Sequence, residues 1–566
     1  MTTIKDIFNR AAKERADGVA LRFKQEGSWQ TRTYGELLER VRQVSEICAG
    51  LGAGPGDRVA LYRENSPEWY EIYFGIVSMG ATAVPIDITL REQEVAHIFH
   101  DCEVSVVFCS AKYAAMISDI EKRLPDLRNA VLVDAEPTGL PESGRVRFHA
   151  YETLRQQVSP AAASPARAFD QYDPDPESPA SIIYTSGTTG RQKGAVLSHC
   201  NFISNVKSCA KAIDTRQTDN FLLVLPLHHS FAFTGIVLLP VYAQAQVTIV
   251  DNLKTIQAAM KETSPTVLMA VPLLLEKMLA RILENIRKKK AGRLLYALGL
   301  ARVIGIKIHR ELGGALRLII SGGAPICPET LQAWKRLGFT IAEGYGITET
   351  GPVLSVNPPD RPRPGTVGLP VPDVEIKILE PNSDGIGEIT ARGSNVMQGY
   401  YNNPVQTEHC LRDGWYLTGD LGHFDDKGYL VISGRKKSMI VSREGKNIYP
   451  EEVEQQVAHS PFILECLALG YHEPGETTGE RTGLIAVPDM EAFDALEDRE
   501  GRRLSEQEIE GTVRAEVKRM VQGLAEYKRP RCIQIRFEEF EKTTTQKIKR
   551  YLYAIDTFAR RGSTSR

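Results

Sequence analysis

The chain has 566 residues, with 69 Lys and Arg against 71 Asp and Glu for a formal net charge of −2, and is 42% apolar, 25% charged and 7% aromatic. At about 150 residues per compact unit, that length predicts roughly three to four units, and the composition excludes disorder, a collagenous chain and a disulfide scaffold. The near-neutral balance supplies no long-range field for a phosphate backbone, so no nucleic-acid partner is expected. Nine cysteines without a CxxC spacing suggest neither a disulfide framework nor a thiolate metal site and fit a reducing compartment. The N-terminus, MTTIKDIFNRAAKERADG, is charged throughout and lacks the apolar core of a secretory signal, so a cytoplasmic protein is expected.

In chain order, RVALY, a helical pattern from Trp69 to Met79, ATAVPI, a helix from Glu92 and then SVVF alternate with the rhythm of a doubly wound sheet. Five prolines between Arg155 and Pro179 mark a connector and a subdomain joint. A second α/β unit begins at Ala180: ASIIY, a Gly/Thr-rich loop and AVLS precede Phe202, Val206, Cys209, Ala210 and Ile213 at helical spacing. Phe221 to Val250 carries no Asp, Glu, Lys or Arg, but Pro226, Pro240, His228, His229, Gln244 and Gln246 interrupt it, so it is not read as a membrane span. Lys277 to Arg310 is a strongly basic stretch with an apolar remainder. As a helix it either packs on its own domain with a solvated basic face or touches an anionic membrane, giving at most peripheral contact on the inner membrane face. From Gly365 to Gly434 short alternating runs broken by Gly, Asp and Asn predict a small, mostly β unit. Beyond Arg435, helical segments around Glu451 to Val457 and Glu506 to Met520, with LIAVP and RCIQIRF, predict an α+β module. The expected domains are residues 1–436 and 437–566.

The most informative segment runs Tyr184-Thr185-Ser186-Gly187-Thr188-Thr189-Gly190-Arg191-Gln192-Lys193-Gly194, directly after a predicted buried strand. Glycines let backbone N–H groups turn toward an anion, hydroxyls add donors, and Lys193 supplies a point charge, so the segment reads as a phosphate cradle. The GxxxxGK[ST] spacing of a P-loop is absent. By composition alone a surface Gly/Thr loop fits as well.

That segment resembles the phosphate loop of the acyl-adenylate-forming (AMP-binding) enzymes, the superfamily of acyl-CoA synthetases, peptide-synthetase adenylation domains and firefly luciferase. Further segments come in that family's order: Ser321-Gly322-Gly323-Ala324-Pro325, Glu343-Gly344-Tyr345-Gly346-Ile347-Thr348-Glu349-Thr350, Trp415-Tyr416-Leu417-Thr418-Gly419-Asp420 and Gly434-Arg435-Lys436-Lys437. The helical stretch from Lys277 looks like the insert of long-chain acyl-CoA synthetases, the closest resemblance being to bacterial long-chain fatty acid–CoA ligases. The resemblance implies a large N-terminal domain of two doubly wound α/β subdomains plus a small β-barrel-like subdomain, with a mobile, smaller α+β C-terminal domain.

It also implies roles. Residues 185–190 with Lys193 would hold ATP phosphates, Gly323, Ala324 and Pro325 the adenine, and Glu343, Gly344, Tyr345, Gly346 and Thr348 the same nucleotide. A flat Tyr345 face suits a purine, although a tyrosine between glycines also serves ordinary packing. Glu349, with Thr185, suits a Mg²⁺ that keeps most of its waters. Asp420 can accept from both ribose hydroxyls and Arg435 can donate to sugar or phosphate. Glu541 to Arg550 resembles the terminal signature whose lysine, here Lys547, reaches the bond-forming centre and stabilises charge as pyrophosphate leaves. By composition that lysine belongs to a basic surface patch with Lys542, Lys549 and Arg550. Lys437 is the hinge candidate, and Gly445 and Lys446 resemble the loop presented to the thiol partner. Two positions depart from the pattern: Gln546 stands where glycine is common, and Ser438 where an acidic residue is common.

Leu225 to Gly235 resembles the segment that closes the acyl pocket, with His229 as the usual histidine, and His228, Phe231, Phe233 and Gly322 as further lining. The segment holds no Asp or Lys to pair an amino acid, which favours a fatty or aryl acid. Phe233 reads equally as a gate or as a core phenylalanine. Catalysis would then rest on Lys547, Glu349, Thr185 and His229, with ATP, Mg²⁺ and coenzyme A as cofactors and co-substrates. The expected function is activation of a medium- to long-chain acid to acyl-AMP and transfer to coenzyme A, in a monomer or homodimer. Transfer to an acyl carrier protein and a non-catalytic nucleotide-binding regulator are the alternatives.

Overall fold

A computed structural model of the chain describes residues 1–139, 144–158, 168–186, 192–473, 479–543 and 547–555. Gly187, Thr188, Thr189, Gly190 and Gln546 lie outside the described residues. Two compact units emerge: Met1–Ile376 with Ala391–Leu417, and Lys377–Thr390 with Thr418–Arg566.

The first unit contains two large sheets. One has eight strands in the order Gly399–Tyr400, Gln192–Ser198, Pro179–Ser186, Thr82–Pro85, Arg58–Tyr62, Val106–Cys109, Asn129–Leu132 and Arg147–Ala150. From Pro179–Ser186 onward the pairing is parallel, while Gln192–Ser198 and Gly399–Tyr400 add antiparallel. The other has nine, in the order Leu369–Pro370, Val353–Val356, Ile341–Gly346, Leu318–Ser321, Val267–Ala270, Asn220–Leu223, Gln246–Ile249, Val19–Gln25 and Ser28–Thr33. It too is parallel in its middle and antiparallel at both ends. The central strands are short, mainly apolar runs buried on both faces, as parallel strands covered by helices must be. The helical pattern near Trp69 becomes Pro67–Ser78, started by a Ser66 cap and Pro67 in its first turn. Trp69, Tyr70, Tyr73 and Phe74 on it are fully buried, so the helix lies inside the unit. The doubly wound α/β rhythm read from the sequence is the architecture observed.

The uncharged stretch from Phe221 divides into the strand Asn220–Leu223, a short helix Ser230–Ala232, a π-helical turn Phe233–Leu238, the helix Leu239–Ala243 and the strand Gln246–Ile249. No helix among the described residues is long and apolar enough to cross a membrane. The basic stretch forms three helices, Pro272–Lys288, Lys290–Ala297 and Ala301–Glu311.

One helix of this unit anchors two distant segments. His199–Ala212 begins on a reciprocal cap in which the Ser198 hydroxyl accepts from the Asn201 N–H while the Ser198 N–H donates to the Asn201 side chain. The Asn201 amide then donates to the carbonyls of Ser394 and Val396, both at 2.8 Å. One turn on, Asn205 donates to the Val353 carbonyl at 2.7 Å and accepts from the Val353 N–H at 3.0 Å.

The second unit has a three-stranded sheet in which Ile463–Tyr471 pairs antiparallel and Cys532–Ile535 parallel with Arg481–Pro488. Helices Pro450–Val457 and Glu506–Met520 supply Val453, Val457, Ile509, Val513 and Val517 to its core, which gives the α+β module expected. All nine cysteines are free thiols.

Asn205 is fully buried, so truncating it orphans both polar groups of Val353. Asn205→Ala is expected to destabilise the first unit by about 2–4 kcal/mol, each orphaned group costing about 1–3 kcal/mol. Chemical denaturation followed by tryptophan fluorescence measures it; a loss under about 0.5 kcal/mol would contradict the clamp.

Candidate functional site

In the first unit the two ends of the phosphate-cradle segment lie on the antiparallel strands Pro179–Ser186 and Gln192–Ser198. Thr185 pairs with Lys193, and the backbone of Ser186 with Gln192. The Lys193 ammonium donates to the Gln406 amide oxygen at 2.6 Å and stands 5.4 Å from the centroid of the Tyr400 ring. Glu349 sits on a 3₁₀ turn, Thr348–Thr350, at the end of the strand Ile341–Gly346. One oxygen of its carboxylate accepts from the Tyr400 hydroxyl at 2.7 Å and from the Thr185 hydroxyl at 3.5 Å. Tyr416 extends this group, its hydroxyl 3.5 Å from that of Tyr400. Burial, with the Glu349 charge close by, pushes both phenols well above their ordinary range, so they remain neutral donors.

The turn bearing Glu349 is tied from several sides. Asn395 donates to the Thr350 carbonyl at 2.7 Å, Thr234 to the Gly351 carbonyl at 2.9 Å, and the Ser230 and Thr348 hydroxyls are 3.0 Å apart. Gly346 is required here, because a Cβ would meet the Pro352 carbonyl oxygen at 2.0 Å.

Tyr345 lies on the same strand, paired with Ser355. Glu343, two residues before, pairs across the sheet with Ser321, the first residue of the Gly322-Gly323-Ala324-Pro325 loop. The Ser321 hydroxyl is buried without a hydrogen-bond partner. Burial pushes the Glu343 carboxyl up to about 8, so it holds its proton at neutral pH and can both donate and accept. A Cβ on Gly322 would stand 2.8 Å from Phe231, which places that ring directly against the loop.

The His228 and His229 rings lie tilted at 52° to one another, with centroids 4.3 Å apart. The buried His228 Nε2 lies 3.5 Å from Asp87, and one ligand atom from each of Asp87, His228 and His229 falls within a 4.8 Å cluster able to hold a metal ion. A carboxylate therefore does approach the pocket segment, brought by a loop far away in sequence. Phe233 is 1% exposed and packs against Trp69, Tyr73 and Phe202, the placement of a core phenylalanine.

In the second unit, Asp420 is buried on the strand Trp415–Phe424 opposite Arg435, whose Nε lies 3.0 Å from its carboxylate. Glu388 accepts from the Gly419 N–H and pairs with Lys436 at 2.7 Å, steadying both ends of that pairing. Lys437, in the turn Lys436–Ser438, is exposed. Gly445 has φ +71°, in the turn where the Ser442 N–H donates to the Lys446 carbonyl, and the Lys446 ammonium stands 4.5 Å from the Tyr527 ring centroid. Lys547 is exposed beside an antiparallel bridge between Lys542 and Ile548, with its N–H donating to the Thr543 hydroxyl at 3.2 Å.

Sequence reasoning passed over Tyr400, Asn201, Asn205 and Asp87. Tyr400 carries a local signal in Gly399-Tyr400-Tyr401-Asn402-Asn403, an aromatic pair before a turn; the others reach distant loops and leave none. The donor set around Glu349 and Thr185 consists of hard oxygens and fits Mg²⁺.

Residues 8–401 match the family described as AMP-binding enzyme. A long-chain-fatty-acid–CoA ligase, FadD15, of Mycobacterium bovis is 30% identical over 84% of this chain and 80% of its own length. An indoleacetate–CoA ligase of Aromatoleum aromaticum is 30% identical over 93% and 94%. Among solved structures, ATP-bound MatB from Rhodopseudomonas palustris superposes with a TM-score of 0.76 at 26% identity, covering 97% of this chain and 98% of that one.

The Glu343 carboxyl generates a pH dependence. The unfolded chain releases this proton at about pH 4.3, the folded chain only near 8, so stability present below the first value is lost as pH rises through the second. Glu343→Gln is expected to melt like the parent at low pH and to exceed it at pH 8.5 by on the order of 5 kcal/mol. A gap that does not widen between those conditions would mean that the carboxyl ionises normally.

Proposed function

The chain belongs to the AMP-binding enzyme family and is an acid–thiol ligase, and on that premise we propose that its acid is a medium- to long-chain fatty acid and its thiol coenzyme A. The observation that carries this reading is the meeting of the Glu349 carboxylate with the Thr185 and Tyr400 hydroxyls at the root of the hairpin bearing Lys193. A carboxylate, hydroxyls and a cation at a Gly/Thr-rich turn suit a nucleoside triphosphate.

In the proposed reaction a carboxylate oxygen of the fatty acid attacks the α-phosphorus of ATP, the bond to pyrophosphate breaks, and acyl-AMP remains. The coenzyme A thiol then attacks the acyl carbon, loses its proton, and AMP leaves. Lys193 would meet the phosphates, and Tyr345 would offer its face to adenine. The neutral Glu343 can give a proton to a ring nitrogen and accept from an amino group. Asp420, oriented by Arg435, would accept from the ribose hydroxyls. Glu349 and Thr185 would hold Mg²⁺, which when bound neutralises triphosphate charge. Lys547 would bind the acid's carboxylate and the α-phosphate in the first step alone. The apolar segment with His228, His229 and Phe231 supports an acyl chain as the acid.

Exchange of labelled pyrophosphate into ATP, driven by fatty acids of graded length, indoleacetate or amino acids, tests this. Exchange with indoleacetate and none with any fatty acid would overturn the fatty-acid assignment, and no exchange at all would favour a binding module. Loading of a holo-carrier protein without any acyl-CoA formed would replace coenzyme A as the acceptor.

Two substitutions test the roles. Tyr400→Phe removes one hydrogen bond to Glu349 and is expected to lower kcat/KM for adenylation about tenfold, as the loss of a bond to a charged group of about 1.5 kcal/mol does. Lys547→Ala is expected to cost adenylation at least about 100-fold while leaving transfer from preformed acyl-AMP within about threefold. Equal losses in both half-reactions would remove the step-specific role of the lysine.

A further inference from the structure

The helices Lys290–Ala297 and Ala301–Glu311 present a surface that the ligase reading does not use. Leu294, Leu298, Leu300, Val303 and Ile306 are each between 45% and 64% exposed. Leu294 and Leu298 are one turn apart, and Val303, Ile306 and Arg310 share a face of the next helix. That helix cannot roll to hide them, because its other face is committed. Ala301, Gly305 and Ile308 are buried, and a Cβ on Gly305 would meet the Leu337 carbonyl oxygen at 1.7 Å.

Cations interleave with these side chains. Arg287, Lys288, Lys289, Lys290, Arg293, Arg302, Lys307 and Arg310 are all exposed, and no Asp or Glu lies between Asn285 and Arg310. Val303, Ile306, Lys307 and Arg310 also line an open hollow with Lys261 and Glu311. In a chain of net charge −2, this is a concentrated basic patch with an apolar centre.

We propose that this surface docks the protein peripherally on an anionic lipid bilayer. The aliphatic side chains enter the boundary between headgroups and acyl chains, while the long Lys and Arg stems keep their charges at the phosphates. Charge complementarity selects this occupant. A second copy would bring like-charged patches together, and a nucleic acid would satisfy the cations while leaving five aliphatic side chains without an apolar partner. The inference stands whichever acid the ligase takes.

Vesicle co-sedimentation of the full chain, without nucleotide or acid, tests it. Partition onto phosphatidylglycerol-containing vesicles is expected to exceed that onto pure phosphatidylcholine by about tenfold or more and to weaken at high salt. The pair Leu298→Glu with Ile306→Glu, and separately the triple Lys288→Gln, Lys289→Gln and Lys290→Gln, should each lower it about tenfold. Unchanged melting temperature and unchanged pyrophosphate exchange with a soluble acid confirm that both variants fold. Equal recovery with both lipids, or variants that bind like the parent, would overturn the proposal. So would binding that survives the Leu298 and Ile306 changes but not the lysine changes, since charge alone then accounts for it. Loss of a dimer in sedimentation equilibrium without loss of vesicle binding would instead assign the patch to a second copy.

Discussion

Two asparagine side chains, one helical turn apart, hold the loops that carry the chemistry of the first unit. Asn201 and Asn205 are buried and spend their amides on the backbone of Ser394, Val396 and Val353, residues more than 140 positions away. Irregular backbone inside a protein has no ladder to satisfy it, and an orphaned carbonyl or N–H there costs as much as a lost hydrogen bond. The amides meet that need and, in doing so, fix the turn on which Glu349 stands. Thr350 and Gly351 are then secured by Asn395 and Thr234, so the carboxylate is held by its own backbone before its side chain meets Thr185 and Tyr400.

The sheets explain why these residues converge. The eight-stranded sheet changes from parallel to antiparallel pairing at Pro179–Ser186, and the nine-stranded one does so at Ile341–Gly346 as well as at its far end, Val19–Gln25. A parallel strand needs a long crossover, whereas an antiparallel partner returns through a tight connection. Thr185 and Lys193 flank the first of those connections, and Glu349 stands on the second. Thr185 meeting Glu349 therefore links the two sheets at the places where their hydrogen-bonding pattern turns over.

The periodic parts of this arrangement were legible in the residues. Arg58–Tyr62, the helix at Trp69 and the strand before Thr185 announce themselves by β-branched runs and helical spacing, which are local properties. The motif from Glu343 to Thr350 was legible as a resemblance and lies on a strand and the turn after it. What sequence could not carry depends on distance in the fold. The proton on Glu343 comes from burial that neighbours in sequence do not create. Asp87 reaches His228 from a separate loop, although the pocket segment itself contains no acid. Phe233 illustrates the same limit, since a gate and a core residue look alike until Trp69, Tyr73 and Phe202 are seen around it.

The basic helices after Asn285 have an electrical consequence for the unit that carries them. With eight cations gathered in so short a stretch of a slightly acidic chain, that stretch is opposite in sign to the balance of the remaining residues, and the charge is distributed unevenly. In any external field such a molecule experiences a torque before it experiences a net pull. It would adhere to a cation-exchange resin at a pH where its total charge repels it, and would meet any polyanion with the same side foremost.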